Sequence, residues 1–441
     1  MEKRDLAITI QNLVQFYSMK NGIDALIKKG YSVDIYTPFC EDSCGFGDMF
    51  NATYDYLINM GYSPIRNSND SLSYKILLEP YPMDSYIKLN YKYRLKYKYS
   101  LLSAKPNLVY IPENNLYYDA ILCFGQYEAN FLRAYSNVEV IGNLKYENLS
   151  YLDKPKTDKP VLLYLPTYGN VSSIDSIIKQ LIKLKDSYYI IVKLHHGTSF
   201  LKDEKERIDK IKNICDESHD HTTELVELLS KADVVLSDNS GAIFETLYAK
   251  VPLAIYSEDI NKNKLEDFDT IQYKLVQDGY IPYTSNPQEI PSVLKQALSN
   301  EYIKKQVYLS NKFFYHPNNP IDCFVNIIEK YLNDKLNLDY KKIHDVLINE
   351  FINKDNNISY LKNKLNVNNS ELLNTKSELT NLKNELIHTK EANEELSEQI
   401  NDKLRIISYY ENGKLYKICK KIYQLYYKLF RRSKKWTKKN K

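Results

Sequence analysis

The chain has 441 residues, 43% of them hydrophobic, enough to bury more than one core, which excludes a small stapled scaffold and a wholly disordered chain. Its net charge of +4, from 60 Lys and Arg against 56 Asp and Glu, selects no class of partner. The distribution is more telling: 12 basic residues and no acidic one lie in 412–441, leaving 48 basic against 56 acidic elsewhere.

Six cysteines, at 40, 44, 123, 215, 323 and 419, form neither paired CxxC knuckles nor a dense framework, which fits a reducing compartment. Cys40 and Cys44 lack a second pair or a nearby His, so they are expected to pack rather than bind zinc. The N-terminal apolar stretch is broken by Gln11, Asn12 and Gln15, unlike a signal peptide. No run of about 20 apolar residues occurs, which argues against a spanning helix. A cytoplasmic protein is expected.

Ile23, Leu26 and Ile27 recur at helical spacing and stop at Lys28-Lys29-Gly30, and a strand closed by Pro38 follows from Tyr31. Helix, Gly stop and short β-branched strand form the repeating unit of a parallel αβα sheet. The unit recurs at Tyr118–Gly125, a helix through Phe131, and Val138–Gly142, giving a Rossmann-like domain over 1–150. Past the charged, proline-bearing linker 154–160 a second series begins. It comprises a strand over 161–165, a helix over 173–185, a strand over 188–194, a helix over 223–230 and a strand over 234–236. It defines a second Rossmann-like domain over 151–335. Two such α/β domains in tandem leave a central cleft faced by strand carboxyl ends, a GT-B plan.

From Ile358 the pattern becomes heptads: Ile358, Leu365, Leu372, Leu379, Leu386, Asn393 and Ile400 stand seven apart, with Leu361, Leu382 and Leu396 on the complementary seam. An α-helical coiled coil is expected over 340–410, making the protein a homo-oligomer or joining it to a partner helix; Asn368, Thr375, Thr389 and Asn393 limit its affinity. In the tail 411–441, Leu415, Ile418, Ile422, Leu425 and Leu429 share one helical face and Lys414, Lys417, Lys421 and Lys428 the other. This basic amphipathic helix suits an anionic membrane surface, through 412–441, and places the protein on the inner face of the cell membrane. Nucleic acid is not expected, since the apolar stripe would then be unused.

Three clusters end strands of the second domain: Tyr164-Leu-Pro-Thr167, Lys193-Leu-His195, and Ser237-Asp-Asn-Ser-Gly241 opening a helix through Phe244. Open amides at a helix start favour an anion, and Lys193 and His195 can add donors, so the three together read as a diphosphate cradle. With Phe244-Glu245 and Lys250-Val-Pro252 in the same order, 161–256 resembles the catalytic domain of the CDP-glycerol glycerophosphotransferase family, the GT-B enzymes of teichoic acid type. The resemblance implies that His195 and Ser240, with the Gly241 amide, hold a donor pyrophosphate, that Glu245 lies near the donor glycerol or ribose, and that Thr167, Lys193, Ser237, Asp238 and Asn239 complete the donor site. It also implies transfer from a nucleotide-activated donor, a CDP-alditol or nucleotide sugar, to a glycan or lipid-linked acceptor, with His195 catalytic.

The family's Trp-His-Gly motif is absent; its region holds Pro106–Asn114, where Glu113 is the candidate base. No Asp-x-Asp cluster stands in the cleft segments, so no metal and no cofactor is expected. Two alternatives remain: a UDP-sugar 2-epimerase-like enzyme, and a catalytically degenerate scaffold working through its coiled coil and tail.

Overall fold

The computed structural model describes residues 2–39, 47–82, 87–98, 115, 117–133, 136–146, 157–199, 204–258, 264–265, 268–269 and 271–335, with 397, 400–403, 417–419, 421–422 and 424–425 beyond. Residues 1–341 form one compact unit and 342–441 a second. In the second unit the described residues are helical, and Ile400, Ile418, Ile422 and Leu425 are exposed. The rest of the heptad region and tail, Cys40, Cys44 and Glu113 lie outside the described residues. Among those described, no helix is long and apolar enough to cross a membrane.

The first unit holds two six-stranded parallel sheets. The first is built from β1 (Glu2–Thr9), β2 (Val33–Tyr36), β3 (Leu72–Glu79), β4 (Tyr91–Tyr97), β5 (Ala120–Cys123) and β6 (Asn137–Val140), in the order β2-β1-β3-β4-β5-β6. Leu6 stands between Val33 and Ile76 in register. The second comprises β7 (Val161–Leu165), β8 (Tyr189–Lys193), β9 (Glu217–His219), β10 (Val234–Ser237), β11 (Leu253–Tyr256) and β14 (Tyr283–Thr284), in the order β14-β11-β10-β7-β8-β9; β12 (Lys264–Leu265) and β13 (Phe268–Asp269) form a small hairpin. All five residues of β7 are buried, as a strand covered on both faces requires. Strand order reverses between β1 and β3 in one sheet and between β7 and β10 in the other, and at such switch points ligands bind outside the strand carboxyl ends.

The first helix, α1 (Leu13–Lys28), starts where Asn12 Oδ1 accepts the Gln15 amide, and buries Leu13, Phe16, Met19, Ile23 and Leu26 against the sheet. It ends as its sequence indicates: Gly30 takes φ +90°, and the Gly30 and Tyr31 amides donate back to Ile27 and Leu26. The helix over 173–185 is observed at Ile174–Leu184, and the one over 223–230 at Leu225–Lys231. Strands β1, β3 and β4 were not foreseen. In β4 basic and aromatic residues alternate, the look of a half-exposed strand, yet it is central. Arg94 reaches Glu79 at 2.6 Å and Lys98 reaches Glu128 at 2.9 Å, so these buried cations are paired.

One boundary shifts. The sequence groups everything to 335 with the second domain, but the helix Pro320–Leu332 packs on the first sheet. Phe324 is fully buried against Gly22 and the Tyr97 ring, Tyr331 meets Tyr93 edge-on, and Lys330 pairs with Glu139 at 2.6 Å. Its apolar face reads as an ordinary amphipathic helix, and nothing local says which sheet it covers. Removing the ring in Phe324→Ala should cost about 3–5 kcal/mol, measured by chemical denaturation; a loss under about 1 kcal/mol would show that this helix does not hold the first sheet.

Candidate functional site

The second switch point is organised by Asp238, which follows β10 and is fully buried. Its carboxylate accepts from the Thr167 amide at 2.8 Å, the Ser173 amide at 3.0 Å and Ser173 Oγ at 2.8 Å. Burial pushes its pKa up to about 6 against those hydrogen bonds. Beside it Ser237 Oγ donates to the Leu165 carbonyl at 2.8 Å. Ser237 and Asp238 thus spend these hydrogen-bonding groups inside the protein, joining the ends of the strands that carry the candidate donor residues. Thr167, buried, is held in this web by its amide, and Asn239 is half-buried beside it.

The helix start expected to cradle an anion is also largely spent. Ala242–Tyr248 has seven residues; the Ala242 amide is taken by Ser240 Oγ, and the Ile243 and Phe244 amides by the Ser240 and Gly241 carbonyls. Gly241 is exposed, with open space where a Cβ would stand. Ser240 is buried as a cap for the turn, and of this start only the backbone around Gly241 faces outward.

The cationic half of the site is stronger than expected. After β8, His195 stacks on Tyr168 with centroids 4.5 Å apart, and its Nδ1 accepts the Gly197 amide at 3.0 Å. Burial, with His196 and Lys193 alongside, pushes its pKa down to about 3. The ring is thus neutral at pH 7 with its proton on Nε2, a fixed donor. Gly197 lets the backbone come close: a Cβ would stand 3.2 Å from the Tyr168 ring and 3.3 Å from His195 Nδ1, a tight fit on both sides. Lys193 donates to the Asp220 carbonyl at 2.9 Å; burial pushes its pKa down to about 8, with Glu245 opposing and Lys145 adding to the effect. Lys145, from the turn after β6, pairs with Glu245 at 2.6 Å. Lys145, Lys193, His195 and Glu245 therefore gather at one place, with Glu245 already matched by a lysine.

Beside them is a small cavity of about 10 Å³ lined by Asn12, Leu13, Val14, Met49 and Thr53 of the first lobe and His196 and His221 of the second. The lobes are pinned at its side, where Tyr17 Oη donates to the Thr222 carbonyl at 2.8 Å and meets Tyr56 Oη. Lys145, His196 and His221 were missed as candidates. A signal existed for the last two: four of the seven histidines, 195, 196, 219 and 221, fall in one 27-residue stretch. Among the described residues no His, Cys, Asp and Glu cluster is placed to hold a metal ion.

Residues 136–319 match the family described as CDP-Glycerol:Poly(glycerophosphate) glycerophosphotransferase. The resemblance carried by the motifs is borne out over that segment, which holds every described candidate residue. No curated protein is matched. Among solved structures the wall teichoic acid polymerase TagF is similar, with 14% identity over 75% of this chain and 89% of that one and a TM-score of 0.52. A variant of the same polymerase soaked with CDPG has 15% identity over the same shares, also at 0.52. At such identities the likeness shows the fold: two parallel-sheet α/β domains in the GT-B manner.

The neutral histidines give the site a pH signature. The pKa values of His195, His196 and His316 are lowered to about 3, 4 and 4, so below the ordinary value the unfolded chain binds protons that the folded one refuses. Asp238, raised, opposes this, since its contribution is lost as pH rises through about 6. His221 is lowered as well, while Glu128 and Glu224 are raised with Asp238, so the four histidines lower the unfolding free energy as pH drops from about 6.5 to about 4, with a shallower fall expected in His195→Gln. An identical slope in that variant would show that His195 is not held neutral.

Proposed function

We propose that this protein transfers a glycerol phosphate, or a closely related nucleotide-activated group, from a CDP-alditol donor to a hydroxyl of a glycan or lipid-linked acceptor. The observation that carries the reading is the neutral His195, its Nε2–H fixed by the Gly197 amide, beside Lys193 and Lys145 at the second switch point, inside the segment matched by the glycerophosphotransferase family. The acceptor oxygen attacks the phosphorus bearing the glycerol; the bond to the bridging oxygen breaks and the nucleoside monophosphate leaves with that electron pair, while the acceptor's proton passes to a base. Negative charge grows on the leaving phosphate, where preorganised donors in a partly buried site contribute most. His195 Nε2–H and the lysines supply them, and Gly241 lends its exposed backbone.

Thr167 and Glu245 would border the donor, with Asp238 and Ser237 holding the strand ends. The basic tail, 412–441, would keep the enzyme at an anionic membrane where a lipid-linked acceptor is concentrated, and the heptads of 340–410 would join copies or a partner helix.

With CDP-glycerol and a glycerol-phosphate acceptor, nucleotide release should fall by about 100- to 1,000-fold in His195→Gln, as for loss of one oxyanion donor, with the far-ultraviolet circular dichroism unchanged. Release at the wild-type rate would remove His195 from the chemistry. Full-length protein should co-sediment with phosphatidylglycerol vesicles and lose this on deletion of 412–441; equal sedimentation of the deletion variant would place any attachment elsewhere.

A further inference from the structure

None of the first 194 residues is a histidine, so no imidazole of the first lobe can take the acceptor's proton. The structure offers a replacement from the opposite lobe. His196 opens the 3₁₀ turn His196–Ser199 after β8 and stacks on His195 with centroids 4.1 Å apart. Unlike His195, neither of its ring nitrogens makes a hydrogen bond among the described residues, and the ring lines the inter-lobe cavity opposite Asn12 and Thr53. The cavity is about 10 Å³, the space of one water-sized group, which matches a single hydroxyl and is far too small for a nucleotide.

We propose that this cavity receives the terminal hydroxyl of the acceptor and that His196 is the base that deprotonates it. The inference rests on the transferase reading above and assigns its acceptor side. Both reacting partners then meet at adjacent residues of one strand end, His195 donating toward the leaving phosphate and His196 accepting from the incoming hydroxyl. The acceptor O–H bond breaks to His196 as the new O–P bond forms, and the proton leaves to solvent after the nucleotide departs. Asn12, whose Oδ1 caps α1, and Thr53, whose hydroxyl donates to the Met49 carbonyl, border the entering hydroxyl, with Met49 and Val14 beside them.

The charges around His196 are consistent with this role. Burial pushes its pKa down to about 4, with Lys193 and His221 adding to the effect, so the ring is unprotonated before the donor arrives. His195 is the other titrating neighbour, Asp220 acts on His221, and the first lobe's wall contributes only Asn12, Leu13, Val14, Met49 and Thr53, none of which titrates. A donor diphosphate beside Lys193 brings negative charge that favours the imidazolium, raising the basicity of His196 when substrate is bound.

The test uses full-length protein and three readouts: the thermal shift given by CDP, transfer from CDP-glycerol to a glycerol-phosphate acceptor, and the pH profile of that transfer. In His196→Gln the CDP shift should remain within twofold in affinity while kcat for transfer falls at least 100-fold, and the acid limb of the pH profile should vanish. In His196→Gly, added imidazole should restore part of the rate. Wild-type transfer in His196→Gln, or a lost rate with an unchanged acid limb and no rescue, would overturn the assignment. If CDP gives no shift even with wild-type protein, the transferase reading itself fails, an outcome distinct from failure of His196 alone.

Discussion

A carboxylate buried beyond the reach of solvent holds the second switch point together. Asp238 joins the ends of β7 and β10 by accepting two amides and a hydroxyl, and without it the Thr167 and Ser173 amides would be left unpaired, Ser173 Oγ keeping Tyr164 Oη. Each such orphan costs roughly 1–3 kcal/mol. That cost explains why the loop after β7 runs where it does, and so why Tyr168 lies under His195 and the imidazole has one orientation. The geometry of the outward-facing donors depends on a charge that faces inward.

From this anchor the site extends through contacts that also join the lobes. Lys145 reaches Glu245, the Asn143 amide donates to Tyr248 Oη, which itself donates to the Tyr315 carbonyl, and Tyr17 ties α1 to Thr222. The crossing helix Pro320–Leu332 adds a clasp on the first sheet, extended by Asp334, which meets Lys75, Lys92 and Tyr93. The cavity between the switch points is therefore bounded by packed elements on both sides, which preorganisation of two reacting groups requires.

Much of this architecture was readable in the residues. Gly30, Pro38 and the β-branched strands announced parallel α/β units, and the cluster order from Tyr164 to Pro252 carried the resemblance that the family match over 136–319 bears out. Residue types alone could not show that Ser237 and Asp238 bond inward to Leu165, Thr167 and Ser173, because a ligand and a strand end ask for the same hydrogen-bonding groups. Nor could they place Arg94, Lys96 and Lys98, whose alternation with aromatics mimics an exposed strand and whose partners Glu79, Asn115 and Glu128 lie 15 or more residues away. The helix carrying Phe324 joins a sheet some 200 residues earlier in the chain, a choice made by tertiary packing. His196 escaped notice because its role depends on a cavity that only two lobes together create.

In the proposed transferase the donor's phosphates lie at the carboxyl ends of β7, β8 and β10, with the acceptor side in the inter-lobe cavity. A crystal structure of the His196→Gln protein soaked with CDP-glycerol tests it most directly. A diphosphate oxygen is expected within hydrogen-bond distance of His195 Nε2, with Lys193 or Lys145 nearby and the glycerol phosphorus turned toward Asn12. A nucleotide bound at the first sheet, or a diphosphate away from His195, would contradict it.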